Sequence, residues 1–369
     1  MHPRHDPPVF RRHRPRVSGL VAVPLVLIVG VTVVDLLTSP NIHLGPLLVA
    51  APALTAAFGG PVLTAVIGAL AVGAQVVIGV FHGGLFSSNH EAQILALIVV
   101  SAFVVFFRYA YNRHEQELVQ VRGVAEVAQK VLLRPLPSRI GPLRIASVYV
   151  AAEAEARIGG DLYATVRTPY GSRVMIGDVR GKGLTAVGDA ALLLGAFRAA
   201  AHRNPTLPTL VAHLENTVYW DTVEPTEDAE TAGESFITAA VLDIPDEEPL
   251  IRLINCGHPP PLVVRQGRVT ELTVSDPALP LGLGGGLPAS AYEAEAFPFG
   301  VGDLLVLYTD GVIETRDARG TFYPLAERIT AWGGTHPRHL VQYIHGDLLA
   351  HAGGALADDV AVVVVERCE

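Results

Sequence analysis

Two kinds of hydrophobic order divide the chain. Up to about residue 110 the apolar residues come in long unbroken runs, whereas beyond about residue 140 they come in short β-branched bursts separated by Gly/Pro turns. Val17–Leu37 is apolar apart from Ser18, Thr32 and Asp35. At about 1.5 Å per residue that is long enough to cross the roughly 30 Å hydrocarbon layer of a bilayer. It lacks a convincing small-residue cleavage site and more apolar segments follow, so it reads as an anchor and not as a signal peptide. Pro61–Phe81 and Ala92–Ala110 are two further candidate spans. Leu44–Phe58 is marginal before Gly59-Gly60-Pro61 breaks it, and both a short span and a re-entrant hairpin fit.

Between the two regimes, residues 111–134 (YNRHEQELVQVRGVAEVAQKVLLR) lack proline and read as a helix that Arg134-Pro-Leu-Pro ends. Leu118, Val121, Ala125, Ala128 and Leu132 recur at spacings of three and four. That stripe fits a parallel coiled-coil dimer, and equally a helix laid on its own domain. Beyond Ile140 the strand candidates are Leu143–Ala151, Leu162–Arg167, Arg173–Ile176, Phe236–Asp243, Ile251–Asn255, Leu262–Val264, Arg268–Thr273, Tyr292–Pro298, Leu304–Tyr308 and Val360–Val365. Helices are predicted over Leu184–His202, Leu207–Asp221, Leu325–Trp332 and Pro337–His351. Many strands with hairpin-length loops and helices grouped in pairs describe an α+β sandwich preceded by an all-α membrane region. Thr222–Glu234 is acidic, without apolar period, and reads as a flap or solvated loop.

Composition sharpens this division. Half of the residues are hydrophobic and the mean hydropathy is +0.38, high for a wholly soluble chain. Residues 1–110 hold six Lys/Arg and three acids, so a formal charge of −9 overall leaves −12 on residues 111–369. Such an acidic part argues against nucleic acid as a partner, since phosphate binding needs clustered Lys/Arg. RRHRPR before the first span and Arg108, Arg113 and Arg122 after the last place both flanks in the cytoplasm, which requires an even number of crossings, about four in 17–110. The expected organisation is a basic cytoplasmic N-terminus at 1–16, a transmembrane region at 17–110, a connector at 111–140 and a catalytic domain at 141–369. Asp35, near the end of the first span, is read as an interfacial residue. The two cysteines, Cys256 and Cys368, make neither a zinc motif nor a disulfide framework.

Chemistry enters with four aspartates set where apolar runs meet turns: Asp161 in GGDLY, Asp178 in VMIGDVRGKG, Asp310 in LLVLYTDG and Asp359 in ADDVAVVVV. Any one of them alone is ordinary turn chemistry. Four at strand ends, without histidine or cysteine beside them, make an oxygen-rich site suited to a pair of Mg²⁺ or Mn²⁺ ions. The pair Asp358-Asp359 precedes a buried run, so its charge needs a compensating partner.

The ordered set RIGGDLY, IGDVRGKGLTA, SFITAAVLDI, INCGHPPPLVV, LPLGLG, DLLVLYTDGVIETRD and ADDVAVVVV resembles the metal-dependent serine/threonine phosphatases of the protein phosphatase 2C type. Within these it is similar to the bacterial branch typified by sporulation stage II protein E, over about residues 125–369. The resemblance implies an αββα sandwich of two antiparallel sheets with helices outside and a two-metal site at one end. It implies that Asp178 bridges both ions with the Val179 carbonyl as a further ligand, that Asp310 and Asp359 hold one ion, and that Asp161 holds the other, directly or through water. A hydroxide bridging the ions would then attack phosphorus without a phosphoenzyme. The implied substrate is a phosphorylated regulatory protein of the anti-sigma-factor-antagonist type. Arg157 is a candidate phosphate ligand. His258 is a candidate acid for the leaving serine, or else a turn-stabilising residue.

Two positions depart from the pattern. Ala164 stands where the first motif usually has a second acid, and Cys256 stands where the HPP motif has alanine. Ala164 motivates an alternative, a catalytically weak or inactive phosphoprotein-binding module. GGDLY also resembles the GG[DE]EF signature of diguanylate cyclases, but it lacks the following acid, and a cyclase would leave the other three aspartates unexplained.

Overall fold

The computed structural model describes residues 20–38, 44–81, 88–151, 159–223 and 235–368, and for 88–89, 115–131 and 222 the backbone only. Arg157, the acidic stretch from 224 onward and the side chains of Leu118, Val121, Ala125 and Ala128 lie outside the described residues. The chain forms two compact units, Met1–Gln120 and Val121–Glu369.

The first unit is helical: α1 (Ala22–Leu37), α2 (Ala50–Phe58, entered through a 3₁₀ turn at Gly45–Val49), α3 (Pro61–Phe81) and α4 (Ser88–Leu132), whose last residues belong to the second unit. Pro61–Phe81 and the His90–His114 part of α4 are long and apolar enough to cross a membrane. Both present large apolar side chains outward, among them Val62, Val66, Phe103 and Phe106. The other two apolar segments, Ala22–Leu37 and Gly45–Phe58, are shorter. With 16 residues α1 covers about 24 Å. Asp35 is fully buried within the unit, and its Oδ1 accepts the Leu44 N–H. Gln75 Nε2 donates to Gln93 Oε1 at 2.9 Å, giving the interior a second polar contact. The last apolar segment and the connector form one continuous helix, because the change from apolar to polar residues near 111 changes its surroundings without breaking its hydrogen-bond ladder.

The second unit is an αββα sandwich. One sheet has six strands in the order β1 (Arg139–Ile140), β2 (Leu143–Val150), β11 (Val360–Arg367), β10 (Leu304–Tyr308), β7 (Leu262–Arg265), β8 (Arg268–Glu271). The other has five, β3 (Leu162–Arg167), β4 (Gly171–Val179), β5 (Ile237–Pro245), β6 (Leu250–Cys256) and β9 (Glu295–Pro298). All the ladders are antiparallel.

Strand β11 shows why VAVVVV has no polar alternation. Ala361, Val363 and Val365 join the core shared with the second sheet, while Val360, Val362 and Val364 pack with Leu340, Ile344 and Leu348 of α9 (Pro337–His351). Burial on both faces removes the period of two that marks a half-solvated strand. On the far side of the second sheet, α5 (Leu184–Ala200) and α6 (Leu207–Val223) bury Leu193, Phe197, Leu210 and Leu214 in the same core. A five-residue helix α7 (Asp310–Glu314) and α8 (Leu325–Trp332) complete the unit. Leu132, at the end of α4, packs on the sandwich core, and its carbonyl accepts from Arg198 Nη2. That single residue of the connector stripe therefore lies on its own domain.

Candidate active site

Strand register explains how the four aspartates come together. Leu162 of β3 lies opposite Gly177 of β4, so Asp161 and Asp178 follow as neighbours across the same ladder. In the other sheet Tyr308 of β10 lies opposite Val362 of β11. One step further Thr309 meets Ala361, and Asp310 and Asp359 emerge together. Each sheet thus supplies two carboxylates at one end of the sandwich. A hydrogen bond joins the pairs: Thr309 Oγ1 donates to Asp161 Oδ2 at 2.8 Å. The same Thr309 oxygen accepts the Ala361 N–H at 2.9 Å.

Gly159 brings the second sheet close to the first. A Cβ at this position would overlap the Asp359 carboxylate, so only glycine admits that approach. Asp359 is held from the other side by Tyr149, whose hydroxyl donates to Oδ2 at 2.6 Å.

The electrostatics match this crowding. Asp161 and Asp359 are buried, while Asp178 and Asp310 are half-buried. Burial, and then repulsion from Asp310, Asp358 and Asp359, pushes the Asp178 carboxyl up to about 7, partly offset by Lys182. Asp161 is raised well above the ordinary range, first by burial and then by Asp178, against the Thr309 hydrogen bond. Asp310 is raised as well, chiefly by burial. Lys182 is the compensating cation nearby, and its Nζ sits 2.7 Å from Asp358 Oδ1. Like charges gathered with so little compensation favour either protons or a multivalent cation. All-oxygen donors select a hard one such as Mg²⁺ or Mn²⁺. Among the described residues no group of three His, Cys, Asp or Glu side chains is disposed to grip an ion as placed. The fit therefore lies in the chemistry of the donor set and the mutual repulsion of its members.

The remaining candidates fall elsewhere. His258 fits the turn-stabilising alternative: its ring is buried, with Nδ1 3.1 Å from Thr238 Oγ1 and Nε2 3.1 Å from the Tyr308 carbonyl. Burial pulls its pKa down to about 4, against the pull of that carbonyl. A neutral imidazole with both nitrogens engaged stabilises the turn and does not protonate a leaving serine. It also supports the site indirectly, because Thr238 lies opposite Asp178 in the β4–β5 ladder. Ala164 sits in the core of β3 opposite Met175, so the position of the customary second acid is apolar and closed. Cys256 is likewise core, and burial pushes its thiol up to about 12. Sequence reasoning missed Tyr149, Thr309 and Lys182, whose roles depend on cross-strand contacts, and it treated Asp358 only as the neighbour of Asp359.

An antiparallel αββα sandwich with acids gathered at one end is the architecture of the phosphatase 2C class. In fold the chain is similar to the SiaA-PP2C domain of Pseudomonas aeruginosa, with a TM-score of 0.53 at 15% identity, over 70% of this chain and 99% of that one. Residues 169–368, more than half of the chain, match the Stage II sporulation protein E (SpoIIE) family. The chain belongs to this family and is a protein serine/threonine phosphatase. It is 25% identical over 296 residues to phosphoserine phosphatase RsbU of Bacillus subtilis, covering 77% of this chain and 82% of that protein. It is also 24% identical over 262 residues to protein IcfG of Synechocystis, covering 63% of this chain and 39% of that longer protein.

Proposed function

We propose that this phosphatase is membrane-anchored, uses two divalent cations, Mg²⁺ or Mn²⁺, and removes phosphate from serine or threonine of a small regulatory protein of the anti-sigma-factor-antagonist type. The observation that carries the reading is the convergence of Asp161, Asp178, Asp310 and Asp359 from two sheets, with the Asp178 carboxyl driven to about 7 by burial and then by repulsion from its acidic neighbours. Asp178 would bridge the ions with the Val179 carbonyl beside it, Asp310 and Asp359 would hold one, and Asp161 the other. Bound there, the cations would supply the charge that makes water nucleophilic at neutral pH and neutralises the phosphoryl oxygens.

The chain's own residues prepare that site. Tyr149 fixes the orientation of Asp359, and Thr309 fixes Asp161 while tying β10 to β11. Lys182, at the rim with its ammonium on Asp358, offsets part of the charge on Asp178 and Asp310. Burial of Asp161 keeps bulk water from screening the cluster.

The apolar helices Pro61–Phe81 and His90–His114 support anchoring. The arginines on both flanks support a multi-pass arrangement with the N-terminus, the 111–140 connector and the 141–369 catalytic domain on the cytoplasmic side. Dimerisation through the 111–134 helix belongs to the same proposal. The test is phosphate release from a phosphoserine peptide by the full chain in detergent. Turnover should require added Mn²⁺ or Mg²⁺, and full turnover in chelator would overturn the reading. Ala164 favours a second reading, a phosphoprotein-binding module with weakened catalysis, which predicts peptide binding without turnover even with both ions supplied.

A further inference from the structure

Away from the acids, the second unit carries a groove of the opposite charge. Its volume is about 750 Å³, its floor is Arg144–Val148 of β2, and its walls are the Pro135–Arg139 segment and the N-terminal half of α9. Arg139, Arg144 and Arg338 line it together with His336 and His345, and among the described residues no acid does. Arg144 is paired with Glu366 at 2.6 Å. Arg139 and Arg338 are exposed and have no acid partner among the described residues. In a chain of net charge −9 such a concentration is a local reversal of sign, which suits an acidic ligand.

The floor also has an incomplete edge. The Ile145 N–H donates to the Ser138 carbonyl at 3.0 Å, so the odd-numbered residues of β2 direct their backbone toward this flank. Strand β1 pairs only with Leu143 and Arg144. The next outward residue, Ser147, has no paired strand on that side among the described residues. A short edge strand beside a groove is the geometry into which extended peptides add. The groove also leads toward the catalytic acids. From Arg144 to Tyr149 the strand rises five residues, about 17 Å, and Tyr149 holds Asp359.

We propose that this groove docks an extended acidic segment of the phosphoprotein substrate along the edge of β2, its carboxylates on Arg139, Arg144 and Arg338 and its phosphoresidue at the four aspartates. The strand length sets the spacing: the acidic residues lie about five positions from the phosphoserine. The proposal rests on the phosphatase reading above.

The test uses the full chain in detergent with Mn²⁺ and phosphoserine peptides of equal length. Two carry three glutamates beginning five residues before or after the phosphoserine, and the reference carries glutamines. Two or three exposed ion pairs predict a KM about 5- to 10-fold lower for one of the glutamate peptides. The doubly reversed variant Arg139→Glu/Arg338→Glu should lose this advantage while hydrolysing p-nitrophenyl phosphate as fast as wild type. Equal KM values for all three peptides in wild type, or an advantage that survives the double reversal, overturn the proposal. So does a groove that serves lipid: peptides treated alike, with a phosphatidylglycerol-dependent gain in nanodisc activity that the double variant loses. Failure to hydrolyse even p-nitrophenyl phosphate refutes the phosphatase reading, and the docking proposal with it.

Discussion

Asp178→Asn separates what the acidic cluster contributes to stability from what it contributes to chemistry. In cation-free protein the Asp178 carboxyl stands at about 7 against an ordinary 3.8, raised by burial and then by Asp310, Asp358 and Asp359. A carboxyl raised on folding binds its proton more tightly in the native state, so its ionisation opposes folding. Below about pH 3 both states are protonated and the group costs nothing, and near pH 4 the cost is still small. The cost grows as pH rises and is complete above about 7. Roughly three units at about 1.4 kcal/mol each set a ceiling of ~4 kcal/mol at pH 8. At about 2–4 °C per kcal/mol this is a rise of up to roughly 8–16 °C in Tm for Asp178→Asn. The assay is thermal unfolding of the full chain in detergent with chelator, at pH 4 and pH 8, followed at a signal from the catalytic unit. The variant should be more stable than wild type at pH 8 and indistinguishable near pH 4, and added Mn²⁺ should stabilise wild type far more than the variant. Equal shifts at both pH values, or a destabilised variant at pH 8, would refute the electrostatic account.

Three further outcomes follow from the same contacts. Thr309→Val strands the Ala361 N–H and an oxygen of Asp161 in the interior, and urea unfolding should show a loss of about 2–3 kcal/mol at unchanged m; a loss under about 0.5 would mean that water replaces the hydroxyl. His258→Gln should lower stability and leave the alkaline limb of the kcat–pH profile in place, since the imidazole is already neutral down to about 4; a displaced alkaline limb would restore its role as a proton donor. Gly311→Ala drives a Cβ into the Asp359 carbonyl and should cost about 2–4 kcal/mol, whereas Gly188→Ala on α5, with open space around it, should be neutral or stabilising by up to about 1 kcal/mol; similar effects at both sites would show that the close approach at 311 is relaxed in solution.

How much could be read from the residues depended on whether the signal was local. Strands β3 and β10 and helices α8 and α9 carry their own boundaries, and the predicted and observed ranges coincide. Strand β4 is longer than Arg173–Ile176, because Gly171 and Gly177 interrupt the β-branched pattern without interrupting the ladder. Asp178 therefore lies inside a strand and not beyond one. Strand β1, two residues long, and α7, five residues long, are too short to show any period. Asp310 consequently opens a helix that sequence reading missed. The aspartates themselves were legible because each sits where an apolar run meets turn residues. Tyr149 and Thr309 were not, since their value to the site comes from the register of β2, β10 and β11, which residue spacing does not encode. His258 was legible as either a proton donor or a turn-stabilising residue, and its burial against Thr238 and Tyr308 favours the second.

The central claim is that Asp178 and its three companions form a two-cation catalytic centre. Calorimetric titration of Mn²⁺ into the full chain and into Asp178→Asn measures this most directly. The account predicts two equivalents bound by wild type, with proton release at pH 6.5 as Asp178 gives up its proton, and at most one weak equivalent in the variant. Mn²⁺ binding that is absent from wild type, or identical in the two proteins, would contradict it.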